Sequence, residues 1–175
     1  PEQTGGVILV GGTVHTVSGE TIENGAVGFR EGKITLLAGA SIMQTIQLTD
    51  DTEIVDVEGK HIYPGLFAAD TRLGLTETSS VRATNDSNEI GSYTPEVRAN
   101  VAINPDSTLI PVTRLNGVLL AGVTPTGGRI TGRASVIRLT GWTWEDMTIR
   151  ADAGLVVNWP GVRPGFGAFS GIDKD

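Results

Sequence analysis

Apolar and polar residues alternate in short runs over the first third of the chain, with turn-forming residues between them. Val7-Ile8-Leu9-Val10 is closed by Gly11-Gly12, and Thr13-Val14-His15-Thr16-Val17 by Ser18-Gly19. Ala26-Val27-Gly28-Phe29-Arg30 and Lys33-Ile34-Thr35-Leu36-Leu37-Ala38 flank Glu31-Gly32, a two-residue connection ending in glycine that predicts an antiparallel hairpin. Asp51-Thr52-Glu53-Ile54-Val55-Asp56-Val57 adds another strand before Glu58-Gly59. A turn-punctuated series of this kind predicts a small β-sandwich.

The pattern changes at Pro64-Gly65. Leu66-Phe67-Ala68-Ala69 is an apolar run too short for a helix, and it ends in the polar tip Asp70-Thr71-Arg72. The reading is a buried strand that leads into a polar end. Between Thr76 and Pro105 the polar stretch Thr84-Asn85-Asp86-Ser87-Asn88-Glu89 and two prolines, Pro95 and Pro105, forbid a long helix and predict a long functional or covering loop. Asp106 or Ser107 can then cap a short helix through Leu115, with Pro111 tolerated in its first turn and Asn116-Gly117 ending it. Val118-Leu119-Leu120-Ala121-Gly122-Val123 follows as a second buried strand, parallel to the first across a right-handed crossover. Ala134-Ser135-Val136-Ile137-Arg138-Leu139 is strand-like, and Thr143 with Asp146 forms a variant capping box for a turn carrying Trp144 and Met147. From Asn158 onward prolines and glycines predict irregular structure.

The stretch from Pro64 to Leu75 resembles the first barrel strand of the amidohydrolase superfamily, where a Pro-Gly-apolar-apolar run leads into a His-x-His pair of metal ligands. Pro64, Gly65, Leu66 and Phe67 keep the frame, but Asp70 and Arg72 stand where the two histidines would be. Thr94-Pro95-Glu96-Val97-Arg98 with Ala102-Ile103-Asn104-Pro105 resembles the loop after that strand in the imidazolonepropionase-like branch. The resemblance implies a composite β-sandwich portion over residues 1–63 and the first βα units of a (β/α)8 TIM-type barrel over residues 64–175, incomplete in this chain. It implies hydrolysis of C–N and related bonds with zinc or another divalent metal. The later ligands of that family have no counterpart here, so the expectation is that this chain supplies no metal site of its own. Two readings stay open: part of an amidohydrolase-like enzyme, or a non-catalytic scaffold or binding subunit derived from one.

Composition narrows the partners. With a net charge of −7, a pI near 4.8 and no basic cluster, a nucleic-acid partner is not expected. Hydrophobic content of 39% suffices for a core, and no apolar run approaches a membrane span, so a soluble chain without a membrane partner is expected. The absence of cysteine excludes disulfides, thiolate nucleophiles and Cys-ligated zinc. The start, Pro1-Glu2-Gln3-Thr4, lacks Met and a signal-type apolar core and reads as a trimmed end, which leaves cytoplasmic and exported locations equally open. A sheet of two or three barrel strands would leave apolar edges, so a second polypeptide or a homo-oligomer is expected.

The candidate chemistry sits in two places. Asp70 and Arg72, two apart on a strand, would project to one side at its end, either as a re-tooled polar centre or as an internal ion pair where a metal once sat. Gly127, Gly128, Arg129 and Arg133 form a candidate anion-binding loop, although they lack the Gly-Lys-Ser/Thr of a nucleotide loop and also read as a plain turn. His15 and His61 are the only imidazoles and read as unrelated surface or satisfied core positions. The sequon Asn85-Asp86-Ser87 and the polar set Asn85, Asp86, Asn88 and Glu89, a conceivable Ca²⁺ cradle, read best as a solvated loop.

Overall fold

The computed structural model describes residues 5–159, so the irregular tail expected beyond Asn158 lies almost wholly outside the described residues. The chain divides between Pro64 and Gly65 into two compact units, each with its own sheet. Both sheets are mixed and helices are few, which makes this a small, mostly-sheet α/β protein. No described helix is long and apolar enough to cross a membrane.

The first unit is a single five-stranded sheet, and the second layer that the predicted sandwich needs is not seen in it among the described residues. Its order is β3-β2-β1-β4, with β5 also pairing β1. β1 spans Gly6–His15, β2 Thr21–Arg30, β3 Lys33–Gly39, β4 Thr52–Asp56 and β5 His61–Ile62. The hairpin expected at Glu31-Gly32 joins β2 to β3, and both turn residues have positive φ, 52° and 69°, as a primed turn requires. Gly11-Gly12 does not end a strand as expected. β1 runs through it with two register irregularities, because glycines can absorb a bulge without breaking the ladder. Ile8 lies over Gly28 and Val14 over Gly25, on opposite faces because the Gly11-Gly12 irregularity breaks the alternation, and both are buried, as are Ala26 and Val27 of β2. Beyond the irregularity, Thr13 and His15 face away from Val14. One edge of β1 serves two parallel partners: Gly6 to Val10 pair with β4, and Thr13 and Val14 with β5.

The second unit has the sheet order β6-β7-β8-β9, with β6 at Leu66–Thr71, β7 at Val118–Val123, β8 at Ile130–Arg138 and β9 at Thr148–Val157. β6 and β7 are parallel, connected through α1 at Leu109–Leu115 as the apolar runs predict. Ser107 Oγ accepts the Leu109 amide at 3.3 Å near the start of that helix. β8 and β9 are antiparallel to their neighbours, so the expected succession of barrel units is not seen among the described residues. The physical reason is connection length: six residues separate β7 from β8, too few for the crossover that a parallel strand needs.

Leu75, Ala99, Ile103, Ile110, Ala121, Val123, Ile137, Leu139 and Met147 form one buried cluster. It draws in the Thr76–Pro105 segment, whose bridges Tyr93↔Ile130 and Arg98↔Arg133 lay it alongside β8. That segment is thus a covering layer whose only described helices are two short 3-10 turns, Arg82–Thr84 and Ala99–Ala102. Thr143 caps the short α2, Trp144–Met147, by accepting the Asp146 amide at 3.2 Å, which delivers Met147 into the core.

Candidate functional site

β6 and β7 are parallel and end side by side, so the residues that follow them meet at one rim. Asp70 and Thr71 at the end of β6, Arg72 just past it, and Thr124, Pro125 and Thr126 just past β7 line a concavity of about 660 Å³, which Val156 and Asn158 close from the β9 side. Carboxyl ends of parallel strands are where α/β sheets collect reactive side chains.

The local chain explains the arrangement. A register irregularity between Ala68 and Thr71 places a bulge at Ala69-Asp70. The Ala69 carbonyl is driven so close to Gly122 that a Cβ there would lie 2.4 Å from its oxygen, which fixes glycine at that position of β7. Beyond the bulge, Thr71 accepts the Thr124 amide at 3.0 Å through its carbonyl. The Thr124 hydroxyl donates to the Asp70 carboxylate. Arg72 lies past the end of β6, and its carbonyl accepts the amides of Leu75 and Thr76 in the turn that follows.

This geometry corrects the internal ion pair. Asp70 and Arg72 line the same hollow, yet both are exposed, and no ion pair joins them among the described residues. The bulge breaks the two-residue alternation on which their predicted pairing depends, and the strand ends before Arg72. Thr124 and Asn158 are site residues that the sequence pattern did not single out. Thr124 was findable as the polar residue directly after the second parallel strand.

The glycine-arginine loop is a close turn. Ser92 accepts the amides of Arg129 and Ile130 at 2.7 and 3.1 Å, and Ser87 accepts that of Thr126 at 2.6 Å. Gly128 packs directly on the Ser92 backbone, and Asn158 Nδ2 donates to the Gly128 carbonyl at 2.8 Å. Three N–H groups around the loop are thereby committed to protein carbonyls. Arg129 is exposed, whereas Arg133 sits in β8 and shares Asp152 with Arg98, at 3.3 and 3.4 Å. Asp86 and Glu89 line a separate hollow of about 400 Å³ together with Glu96 and Arg98.

The fit to a catalytic metal is poor at this rim. One Asp70 oxygen already accepts a hydroxyl proton, the neighbouring guanidinium has no lone pair to donate, and among the described residues no three His, Asp or Glu side chains converge as metal ligands. The side chains of the rim suit hydrogen bonding rather than metal ligation.

In the first unit the structure joins two residues that the sequence pattern kept apart. His15 Nε2 and His61 Nδ1 are 2.9 Å apart, and Tyr63 stacks on the His15 ring with centroids 4.2 Å apart and planes 2° from parallel. The available signal was a pair of polar-apolar-polar triplets, Thr13-Val14-His15 and His61-Ile62-Tyr63, which put four polar side chains on one face once β1 and β5 pair.

No protein-family model and no curated protein matches the chain. Among solved structures it is similar to an amidohydrolase from Thermotoga maritima, at 26% identity and TM-score 0.74 over 85% of this chain. The match takes in only 38% of that protein's length. Molinate hydrolase matches at 24% identity and TM-score 0.34, over 42% of this chain and 15% of its own. Ochratoxinase from A. niger matches at 16% identity and TM-score 0.36, over 66% of this chain and 24% of its own. The Thermotoga likeness makes the fold amidohydrolase-like.

Proposed function

We propose that this chain is the N-terminal portion of an amidohydrolase-like protein, of the imidazolonepropionase-like branch, that contributes a polar rim but no metal site and works together with further polypeptide. The observation that carries the reading is the Thermotoga likeness, which covers 85% of this chain, combined with Asp70 and Arg72 standing at the end of the first parallel strand. At that rim the side chains can orient a polar substrate. Asp70 accepts hydrogen bonds, Thr124 holds one of its oxygens in place, and Arg72 offers a planar set of donors to a carboxylate or amide carbonyl. Hydrolysis of a C–N bond would draw its remaining groups from the additional polypeptide.

A second reading is a non-catalytic scaffold or binding subunit, favoured by the Asp-Thr-Arg sequence where the family carries histidines. The two separate experimentally. The protein is purified with whatever polypeptide accompanies it, its metal content is measured, and it is assayed on cyclic and linear amides with and without added Zn²⁺. Hydrolysis that falls at least tenfold in Arg72→Ala supports the enzymatic reading; full assembly without hydrolysis supports the scaffold. Stoichiometric zinc that disappears in Asp70→Ala would overturn the absence of a metal site.

A further inference from the structure

We propose that His15 and His61 form a binding site for a tetragonal divalent transition metal, with copper(II) the strongest occupant and nickel(II) next. The site belongs to the first unit and is independent of the Asp70 rim.

Backbone pairing creates it. Thr13 is in register with His61 and Val14 with Ile62 in the parallel β1–β5 pair, so residues 13, 15, 61 and 63 share the face opposite buried Val14. His15 Nε2 and His61 Nδ1 then face each other at 2.9 Å. One of these nitrogens must carry a proton for the contact to be a hydrogen bond. A metal takes the place of that proton: it moves to the outer nitrogen of the same ring, both facing nitrogens present lone pairs, and the neutral pair needs to lose no proton. The rings now face each other nearly head-on, with centroids 5.1 Å apart, and on binding each turns away from the nitrogen–nitrogen line so that the lone pairs converge on one ion.

The hydrogen-bonded separation is nearer to one coordination geometry than to the other. Two imidazoles at right angles around one ion, with bonds of about 2.0 Å, place their nitrogens about 2.8 Å apart, as a tetragonal copper(II) or nickel(II) site requires. A tetrahedral zinc ion with similar bonds places them about 3.3 Å apart. The metal-free pair, at an ordinary hydrogen-bond spacing of 2.9 Å, lies nearer the first and has less distance to open to reach it. Tyr63, stacked on His15, limits the positions open to that ring before binding and so lowers the entropy lost. No third His, Asp or Glu joins the pair among the described residues, so the remaining positions fall to water or an incoming ligand. Imidazole nitrogen suits copper and nickel, and copper heads the affinity order.

The chain contains only these two histidines, which makes the test specific. Copper(II) is titrated into the metal-free protein in a non-coordinating buffer and followed by electron paramagnetic resonance. The expected result is one equivalent with hyperfine coupling to two imidazole nitrogens. His15→Ala and the more exposed His61→Gln should each abolish the two-nitrogen pattern and weaken binding at least tenfold, while circular dichroism shows the sheet retained; Asp70→Ala should change neither. Nickel(II) should bind more tightly than zinc(II). Coupling to one nitrogen or none in the unmodified protein, copper affinity unchanged in both histidine variants, or zinc(II) bound more tightly than nickel(II) would each overturn the proposal.

Discussion

Arg30 grips Asp51 with both arms of its guanidinium, Nη1 donating to Oδ2 at 3.0 Å and Nη2 to Oδ1 at 2.8 Å. Arg30 ends β2 and Asp51 immediately precedes β4, so this bidentate pair joins two strands that do not themselves neighbour each other in the sheet. The hydrogen bond from Arg30, with a second from Thr49, holds the Asp51 carboxyl down at about 2. A carboxyl whose folded pKa is depressed stabilises the fold above its unfolded value, and the contribution is lost as pH falls through the folded value. Its loss should therefore fall between about pH 4 and pH 2. Thermal midpoints of the parent and Asp51→Asn should differ above that window and converge below it. Because the pair is exposed, added salt should narrow the difference.

Ser135 is fully buried in β8, where its hydroxyl donates to the Ala151 carbonyl at 2.7 Å and accepts the Asn100 amide at 3.2 Å. It ties the covering segment to the sheet. Ser135→Ala leaves a half-buried carbonyl and a buried amide without this partner and should destabilise by about 1–3 kcal/mol. Urea denaturation measures it, and an unchanged midpoint would show that these groups find other partners.

Gly122→Ala tests the bulge. Its new methyl would meet the Ala69 carbonyl, whereas at Gly154 in β9 nothing lies within 4 Å of the added carbon. Overpacking at the first site should cost about 1–3 kcal/mol. Gly154→Ala should be neutral or slightly stabilising, through the reduced freedom of the unfolded chain. Equal effects at the two sites would argue against the close approach of β6 and β7.

Local patterns made much of the fold legible. Glu31-Gly32 gave its hairpin because a primed turn is specified by the two residues themselves, and α1 and β7 followed from a short capped run and an apolar run. Strand direction is not local. Nothing in Ile130–Arg138 marks it as antiparallel to β7; only the short connection does, and that depends on where β7 stops. β9 escaped notice because Ala151-Asp152-Ala153-Gly154 interrupts any alternation. At the candidate site, the strand end at Asp70 could be read, but the bulge that separates it from Arg72 is a property of the pairing with β7. The His15–His61 contact was hidden for the same reason: two residues 46 apart meet only through a two-residue parallel ladder.

The edge of the second sheet, which no described strand covers, bears on assembly. β6 lies at one edge of its sheet, and an edge strand offers unpaired backbone groups to another chain. Native edges are usually blunted by charge or proline, yet Leu66 and Phe67 on β6 are 59% and 52% exposed, and Leu119 on the neighbouring β7 is 48% exposed. These are exposed apolar side chains at and next to an edge that no described strand covers, the arrangement most prone to recruit further strands. The chain should therefore self-associate or co-purify with more polypeptide, and Phe67→Lys should shift it toward monomer by placing a charge at that edge. That substitution removes little internal packing, because half of the side chain is already exposed, so loss of assembly can be separated from loss of fold by circular dichroism. Sedimentation velocity across a concentration series gives the answer: a stable, non-aggregating 18.3 kDa monomer would show that the edge needs no cover.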